Sequence, residues 1–160
     1  ADYLVVRQQA LLSNRNSDSG DSGETPRTLM ILQREEDGHL VKIKENKKII
    51  FCPECGGMRG DPFSGIDITH NGFNIPMYGG GGERWLERFD FGYSRRDKTW
   101  QLTRISYADD TPDEKANDPD NADLVEKAVF TPRDFGKIDL ADFDPDLLES
   151  LISARRDTPQ

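Results

Sequence analysis

Residues 66–77 constrain the fold more than any other segment, because an Asn71-Gly72 pair lies between two stretches that alternate apolar and polar residues. Asn-Gly is the preferred centre of a two-residue type I′ hairpin turn, since both positions of that turn need positive φ. The segment therefore predicts an antiparallel hairpin in which three pairs of residues share one face of the ribbon. The predicted pairs are His70 with Phe73, Ile68 with Ile75, and Ile66 with Met77.

Strand patterns continue on both sides of this hairpin. Trp85, Phe89, Phe91 and Tyr93 occupy alternate positions, which indicates a half-buried strand. Several such strands joined by short turns predict an all-β fold, an antiparallel meander that forms either a sandwich or part of a propeller. The predicted strands cover residues 2–6, 28–33, 40–43, 48–51, 66–70, 73–77, 84–93 and 100–102.

The chain divides into a β domain and a C-terminal helical end. We expect a single antiparallel β domain over residues 1–140, with polar, mobile loops at 14–26 and 109–123. Residues 141–160 are expected to form a short helix and a frayed tail. Asp144 and Pro145 have the residue types of an N-cap and a first helical position, which predicts a helix over residues 145–155.

Charge and hydropathy exclude two classes of protein. The chain has 30 acidic and 21 basic residues, a net charge of −9, whereas nucleic-acid binding requires a basic footprint. Its longest apolar runs are only a few residues long, and a membrane-spanning helix needs about 20. We therefore expect neither nucleic-acid binding nor a membrane span. The chain opens directly on a strand pattern, which suggests that an upstream segment precedes it.

The two cysteines, Cys52 and Cys55, lie in a Cys-Pro-Glu-Cys-Gly-Gly sequence. A structural zinc site needs four ligands, and only two histidines are present to complete one. A redox pair normally begins a helix, which Gly56-Gly57 would interrupt. A tight disulfide between the two cysteines, or a pair of free thiols, is the favoured interpretation.

Catalytic and metal motifs are weak. Acidic clusters around Asp120 and Asp144 resemble parts of calcium loops, but they lack the glycine and the terminal glutamate of such loops. A Gly-x-Ser-x-Gly nucleophile motif is absent from the sequence. We therefore expect a non-enzyme with no predicted catalytic residue.

A run of four glycines, at positions 79–82, separates two predicted strands and lets another backbone approach closely. Tyrosine, arginine and tryptophan flank it, and these residue types are enriched in binding hot spots. We predict a partner-binding site formed by Tyr78, Gly80, Gly81, Arg84 and Trp85.

The order of several motifs resembles that of a widespread group of small exported bacterial proteins, which are periplasmic, secreted or lipid-anchored. In this group an FG-GAP-like calcium-type loop often precedes the first strand. The resemblance therefore implies a periplasmic or secreted location, and it makes Asp2 the last acid of a Ca²⁺ loop lying upstream. The motifs that carry it are Asp2-Tyr3-Leu4-Val5-Val6, Cys55-Gly56-Gly57, Gly60-Asp61-Pro62-Phe63, the Asn-Gly pair, Tyr78-Gly79-Gly80, Arg84-Trp85, Phe89-x-Phe91-x-Tyr93 and Trp100-x-Leu102.

The resemblance implies no enzyme activity. By analogy with other small exported β proteins, we expect an immunity or inhibitor protein that neutralises a toxin or hydrolase of the cell envelope, with an acidic surface suited to a basic toxin. The alternative is a structural or calcium-linked ligand-binding envelope protein. A carboxylate-dependent hydrolase is a third hypothesis.

Overall fold

The computed structural model describes residues 2–8, 25–110 and 124–157, which form two antiparallel sheets and two α-helices. The predicted all-β fold with a short C-terminal helix is therefore confirmed. The first sheet contains β1 (Asp2–Gln8), β2 (Arg27–Arg34) and β3 (Leu40–Asn46), with β2 in the centre. The second contains β4 (Asp67–Ile68), β5 (Gly72–Gly80), β6 (Arg84–Ser94), β7 (Thr99–Asp109) and β8 (Val125–Phe130), and the helices are α1 (Pro132–Phe135) and α2 (Leu147–Arg156).

One hydrophobic core joins the two sheets, because β1, β2 and β5 to β8 turn apolar residues inward. Along β5, residues alternate between half-buried and buried positions. In β6 the predicted alternation likewise places Phe89 and Phe91 in the core, with half-buried residues between and beside them. The Phe143 ring closes the core against the five-stranded sheet, with its centroid 5.1 Å from that of Phe89. The fully buried residues from the two sheets include Leu29, Ile31, Ile75, Met77, Phe89 and Ile105.

The predicted loops 14–26 and 109–123 lie mostly outside the described residues. The few residues of these ranges that the structure describes contact the rest of the β domain. Thr25 is buried and its hydroxyl donates a hydrogen bond of 2.9 Å to Glu54. Asp109 ends β7, and Asp110 accepts hydrogen bonds from Arg84.

The predicted register of the hairpin is wrong. Ile68 pairs with Phe73, and the Thr69 N–H donates a 2.9 Å hydrogen bond to the Gly72 carbonyl. The turn is therefore centred on His70-Asn71 instead of Asn71-Gly72, and neither Asn71 nor Gly72 has positive φ.

The pairing of β5 with β6, on the side away from β4, explains the observed register of the hairpin. Gly72 is paired with Gly92 of β6, where a Cβ added to Gly72 would lie 1.9 Å from the carbonyl oxygen of Phe91. This glycine therefore permits close approach of two strands and is not part of a left-handed turn.

The strand predicted at residues 48–51 is also wrong. The side-chain oxygen of Asn46 accepts hydrogen bonds from the backbone N–H groups of Lys48 and Ile49, at 2.7 and 3.0 Å. These bonds form a local turn in place of a strand ladder. Ile49 and Ile50 still enter the core, where they are 0% and 3% exposed.

Helix α2 begins two residues later than predicted. The N–H groups of Leu147 and Leu148 donate to the carbonyls of Asp144 and Pro145, which forms a tight turn before the helix. Leu148 is buried and anchors α2 to the core. Neither α1 nor α2, in the part of the chain that the structure describes, is long and apolar enough to cross a membrane.

Candidate functional site

Residues 52–63, here called the disulfide loop, lie along the edge of β5. The Gly80 N–H donates a 3.0 Å hydrogen bond to the Gly56 carbonyl, and the Tyr78 N–H donates one of 3.0 Å to the Pro62 carbonyl. Unpaired strand edges invite pairing with other chains, and the loop occupies this half of the edge. The disulfide loop is therefore joined to the sheet at the glycine-rich end of β5.

Two cross-links, one within the loop and one to the three-stranded sheet, and a close glycine contact constrain this loop. A disulfide joins Cys52 and Cys55, whose Cα atoms are 5.1 Å apart. A Cβ added to Gly57 would lie 3.3 Å from the carbonyl oxygen of Gly80, so that the two backbones nearly touch. The second cross-link is the ion pair of Arg27 with Asp61.

Arg27 connects the disulfide loop to the three-stranded sheet. Its side chain is only 6% exposed, and its two terminal nitrogens donate to the two carboxylate oxygens of Asp61. It also donates a 3.1 Å hydrogen bond to the Phe51 carbonyl. The hydrogen bond from Arg27 lowers the pKa of the Asp61 carboxyl group, so this pair stays charged at neutral pH.

Met58 projects from the loop and is 91% exposed. Its Sδ atom would lie 3.4 Å from a Cβ added to Gly81, so the methionine stands beside the glycine-rich turn. Methionine is enriched at protein interfaces, where its flexible, polarisable side chain adapts to a partner. A solvent-exposed methionine on a loop constrained in this way is therefore a candidate binding contact.

Arginines surround the tyrosine next to Met58. The Arg59 guanidinium lies 5.4 Å from the ring centroid of Tyr78. Arg84 Nε donates a 2.8 Å hydrogen bond to Asp110, which raises the pKa of Arg84, and a hydrogen bond with Tyr78 adds to this effect. We define the Met58 surface as Met58, Arg59, Tyr78, Gly81 and Arg84.

The structure brings four of the five predicted partner-binding residues together. Tyr78, Gly80, Gly81 and Arg84 lie around the tight turn between β5 and β6, in which the Gly81 N–H donates to the Glu83 carbonyl at 3.0 Å. Gly80 has φ of +116°, and a Cβ on it would lie 2.0 Å from the Glu83 carbonyl oxygen. Gly80 is thus required by the turn itself.

Trp85 lies on the opposite face of the sheet from Tyr78. A Cβ added to Gly79 would lie 2.4 Å from a ring carbon of Trp85, so the indole covers that glycine. The Trp85 ring centroid is 6.2 Å from that of Phe51, and the tryptophan packs against the core. Its position supports the disulfide loop from inside, and a direct partner contact by Trp85 stays a prediction.

Sequence reasoning missed Met58 and Arg59. Both lie in the Gly57–Arg59 3-10 turn, between glycines with positive φ at positions 57 and 60. The sequence offered one signal for these two residues, the closely spaced glycines that follow Cys55. Such glycines indicate a tightly folded loop whose intervening side chains point outward.

Asp2 is exposed at the start of β1, where it pairs with Gln33. Within residues 2–8, 25–110 and 124–157, no group of three or more His, Cys, Asp or Glu side chains is arranged to hold a metal ion. The Ca²⁺ loop, which would lie upstream of Asp2, stays a prediction.

Two other acidic features lie away from the Met58 surface. An open cavity of about 310 Å³ is lined by Lys137, Ile138, Asp139, Asp142, Asp144 and Leu147. Lys44 and Lys48 already pair with Asp139 and Asp144, at 2.8 and 3.0 Å. Glu87, whose pKa is raised to about 7 mainly by burial, lies between Met77 and Tyr107 on the core face of β6.

Reduction of the disulfide tests its part in holding the loop. Because the bridge closes a very small ring, we expect its loss to lower the free energy of unfolding by about 2 kcal/mol at most. The N–H groups of Tyr78 and Gly80 should exchange with deuterium faster, since both donate to this loop. Urea unfolding and amide exchange with and without dithiothreitol measure both effects. A Cys52→Ala/Cys55→Ala variant is the control and should not respond to the reductant.

Comparison with known proteins found no matching family model. It likewise found no matching curated protein and no matching solved structure. The resemblance to exported bacterial proteins therefore rests on the sequence motifs.

Proposed function

We propose that this chain is a non-catalytic exported bacterial binding protein, which acts as an immunity or inhibitor protein against a toxin or hydrolase of the cell envelope. The observation that carries the proposal is Met58, which is 91% exposed on a loop that contains a disulfide and is joined to β5 by hydrogen bonds. The loop backbone is already ordered before binding, which lowers the entropic cost of association, and the flexible Met58 side chain adapts to the partner. The resemblance to periplasmic, secreted or lipid-anchored proteins supports the location.

The Met58 surface has the composition of a binding site. It combines an exposed apolar side chain with a tyrosine and two arginines, and tyrosine and arginine often dominate binding energy. The hydrogen bonds of Arg84 and the stacking of Arg59 orient these groups before a partner arrives.

The test is capture of a partner from envelope and secreted fractions of the source bacterium and its neighbours, read by mass spectrometry. We expect one dominant, stoichiometric toxin or hydrolase whose activity falls when the purified chain is added. A Met58→Ala variant should bind it about 30-fold more weakly, as expected for the loss of a hot spot worth about 2 kcal/mol.

Ile68→Ala is the matched control. Ile68 is also a strongly exposed apolar residue, at 74%, but it lies in β4 beside the opposite end of β5. This variant should keep full affinity. Equal capture by wild type and Met58→Ala would refute the assignment of the surface, and a captured enzyme that stays fully active in the complex would refute inhibition.

A further inference from the structure

Basic side chains cluster at one end of the outer face of the five-stranded sheet, although the whole chain is acidic. The protein has a net charge of −9. Alternate residues of β6 point away from the core, and Arg84 and Arg88 therefore share the face that contains Tyr78. With Arg59 stacked on the ring of Tyr78, three guanidinium groups lie at this end of the sheet.

Only one of these arginines forms an ion pair within the described residues. Arg84 is paired with Asp110 at 2.8 Å, whereas no carboxylate of the described residues lies within 4 Å of the Arg59 or Arg88 guanidinium. The Asp90 carboxylate lies two residues beyond Arg88 in β6. It interacts electrostatically with Arg88 and Arg104 but forms no hydrogen bond with either side chain. Within the described residues, the positive charges of Arg59 and Arg88 near Tyr78 are therefore not neutralised by a direct ion pair.

Polar atoms without partners lie beside Arg88. Arg88 Nε, Asn74 Oδ1 and Asp90 Oδ1 are all buried and make no hydrogen bond. Asn74 faces Asp90 directly, and Arg88 is two residues before Asp90 on the same face of β6. Buried polar groups are nearly always paired in folded proteins. Arg88 Nε is the only donor among these three atoms, so the Arg88 guanidinium is the group here with unused capacity to bind an acceptor.

We propose that Arg59, Arg84 and Arg88, here called the arginine patch, bind an acidic segment of the protein partner, with Met58 as the adjoining apolar contact. This inference rests on the proposed function and specifies the chemistry of the partner. Guanidinium groups form bidentate hydrogen bonds with carboxylates, which gives affinity and orientation together. The sequence-based expectation of a basic partner applies to the net charge, whereas local charge complementarity at this face favours an acidic one.

A nucleic acid is the poorer occupant. Its phosphates extend well beyond three arginines and would meet the field of an acidic protein, whereas nucleic-acid binding depends on a broad basic footprint. A short acidic segment places its carboxylates on the patch alone, because exposed charges are screened over about 8 Å at physiological salt.

The test uses a capped Glu-Glu-Leu-Glu-Glu peptide as the probe, titrated into the whole chain and followed by NMR. We expect saturable shifts at the Met58 methyl group and at the amides of Tyr78 and Arg88. An Arg59→Glu/Arg88→Glu variant should bind the peptide at least tenfold more weakly, and Arg59→Gln/Arg88→Gln should show a smaller loss in the same direction.

Arg95→Glu/Arg96→Glu is the charge-matched control, because both arginines are exposed in the turn at the far end of β6. Equal weakening in this control would show that net charge alone acts, and would overturn the proposal. So would shifts centred elsewhere, or a five-nucleotide thymidine oligomer that binds the patch as tightly as the peptide.

The two proposals fail in different ways. A captured partner that depends on Met58 but tolerates Arg59→Glu/Arg88→Glu would keep the binding function and overturn its acidic chemistry. Peptide binding confined to the patch, with no partner captured from the envelope, would support the arginine patch and count against the immunity or inhibitor role.

Discussion

Asp61→Ala is expected to lower the free energy of unfolding by about 2–3 kcal/mol, because it leaves the guanidinium of Arg27 without its carboxylate partner in a buried position. The side chain of Arg27 is 6% exposed and that of Asp61 is 40% exposed, so water compensates for part of the loss. Urea unfolding at pH 7 measures the change. The disulfide loop should also lose protection at the Tyr78 and Gly80 amides, since Asp61 belongs to that loop.

Two further variants separate the ion pair from general effects of mutation. Asp67→Ala removes an exposed carboxylate from β4 and should change stability by less than about 0.5 kcal/mol. Arg27→Met/Asp61→Leu removes both charges, and we expect it to recover part of the loss, because apolar replacement of a buried pair is often tolerated. A double variant no more stable than Asp61→Ala would show that packing around Arg27, and not its unpaired charge, sets the cost.

The second large effect is a loss of stability as pH rises toward 7, caused by Glu87. Burial raises the pKa of this carboxyl group from 4.5 to about 7, and the charges of Glu149 and Asp146 add to the shift. The folded chain thus keeps a proton that the unfolded chain has already released. Its stabilising contribution is complete below pH 4.5 and is lost as pH rises to about 7, a change of about 3 kcal/mol.

Glu87→Gln should remove most of this pH dependence and make the protein more stable than wild type at pH 8, because glutamine cannot ionise. Urea unfolding of both proteins at pH 5, 6, 7 and 8 gives the comparison. Glu149→Gln is the control and should change the slope only slightly, because burial is the larger cause at Glu87. Parallel pH profiles for wild type and Glu87→Gln would contradict the assignment.

Most strands could be predicted because their signal is local. The alternation of Trp85, Phe89 and Phe91 corresponds to one face of β6, and the apolar run at 28–33 lies in β2, the central strand of its sheet. Backbone geometry sends successive side chains of a strand to opposite faces. Apolar residues at every second position therefore predict which face of the strand is buried.

The errors occur where distant residues decide the local structure. Gly72 belongs to a strand because the backbone of β6 approaches it, and the turn pattern cannot contain that information. Residues 48–51 form a turn because Asn46 accepts their N–H groups while its amide donates to the carbonyls of Leu140 and Phe143, both at 2.8 Å. Nearly a hundred residues of chain separate these partners, so no local pattern reveals the contact.

The candidate site was predictable in part. Tyr78 and Arg84 flank the four glycines in the sequence, and residues this close in a hairpin must also be close in space. Met58, Arg59 and Arg88 join them only through tertiary contacts. The first two arrive because the disulfide loop pairs with the edge of β5, and the third because the pleat of β6 places it beside Tyr78.

By itself, the sequence of this protein determined its class of fold, most of its strands and its C-terminal helix, because these follow from local periodicity and turn chemistry. Tertiary structure alone decided the register of the hairpin, the position of Met58 and the local charge of the arginine patch. Each of these depends on contacts between strand edges and side chains that are far apart in the sequence. Burial of the shared core determines which of these contacts form.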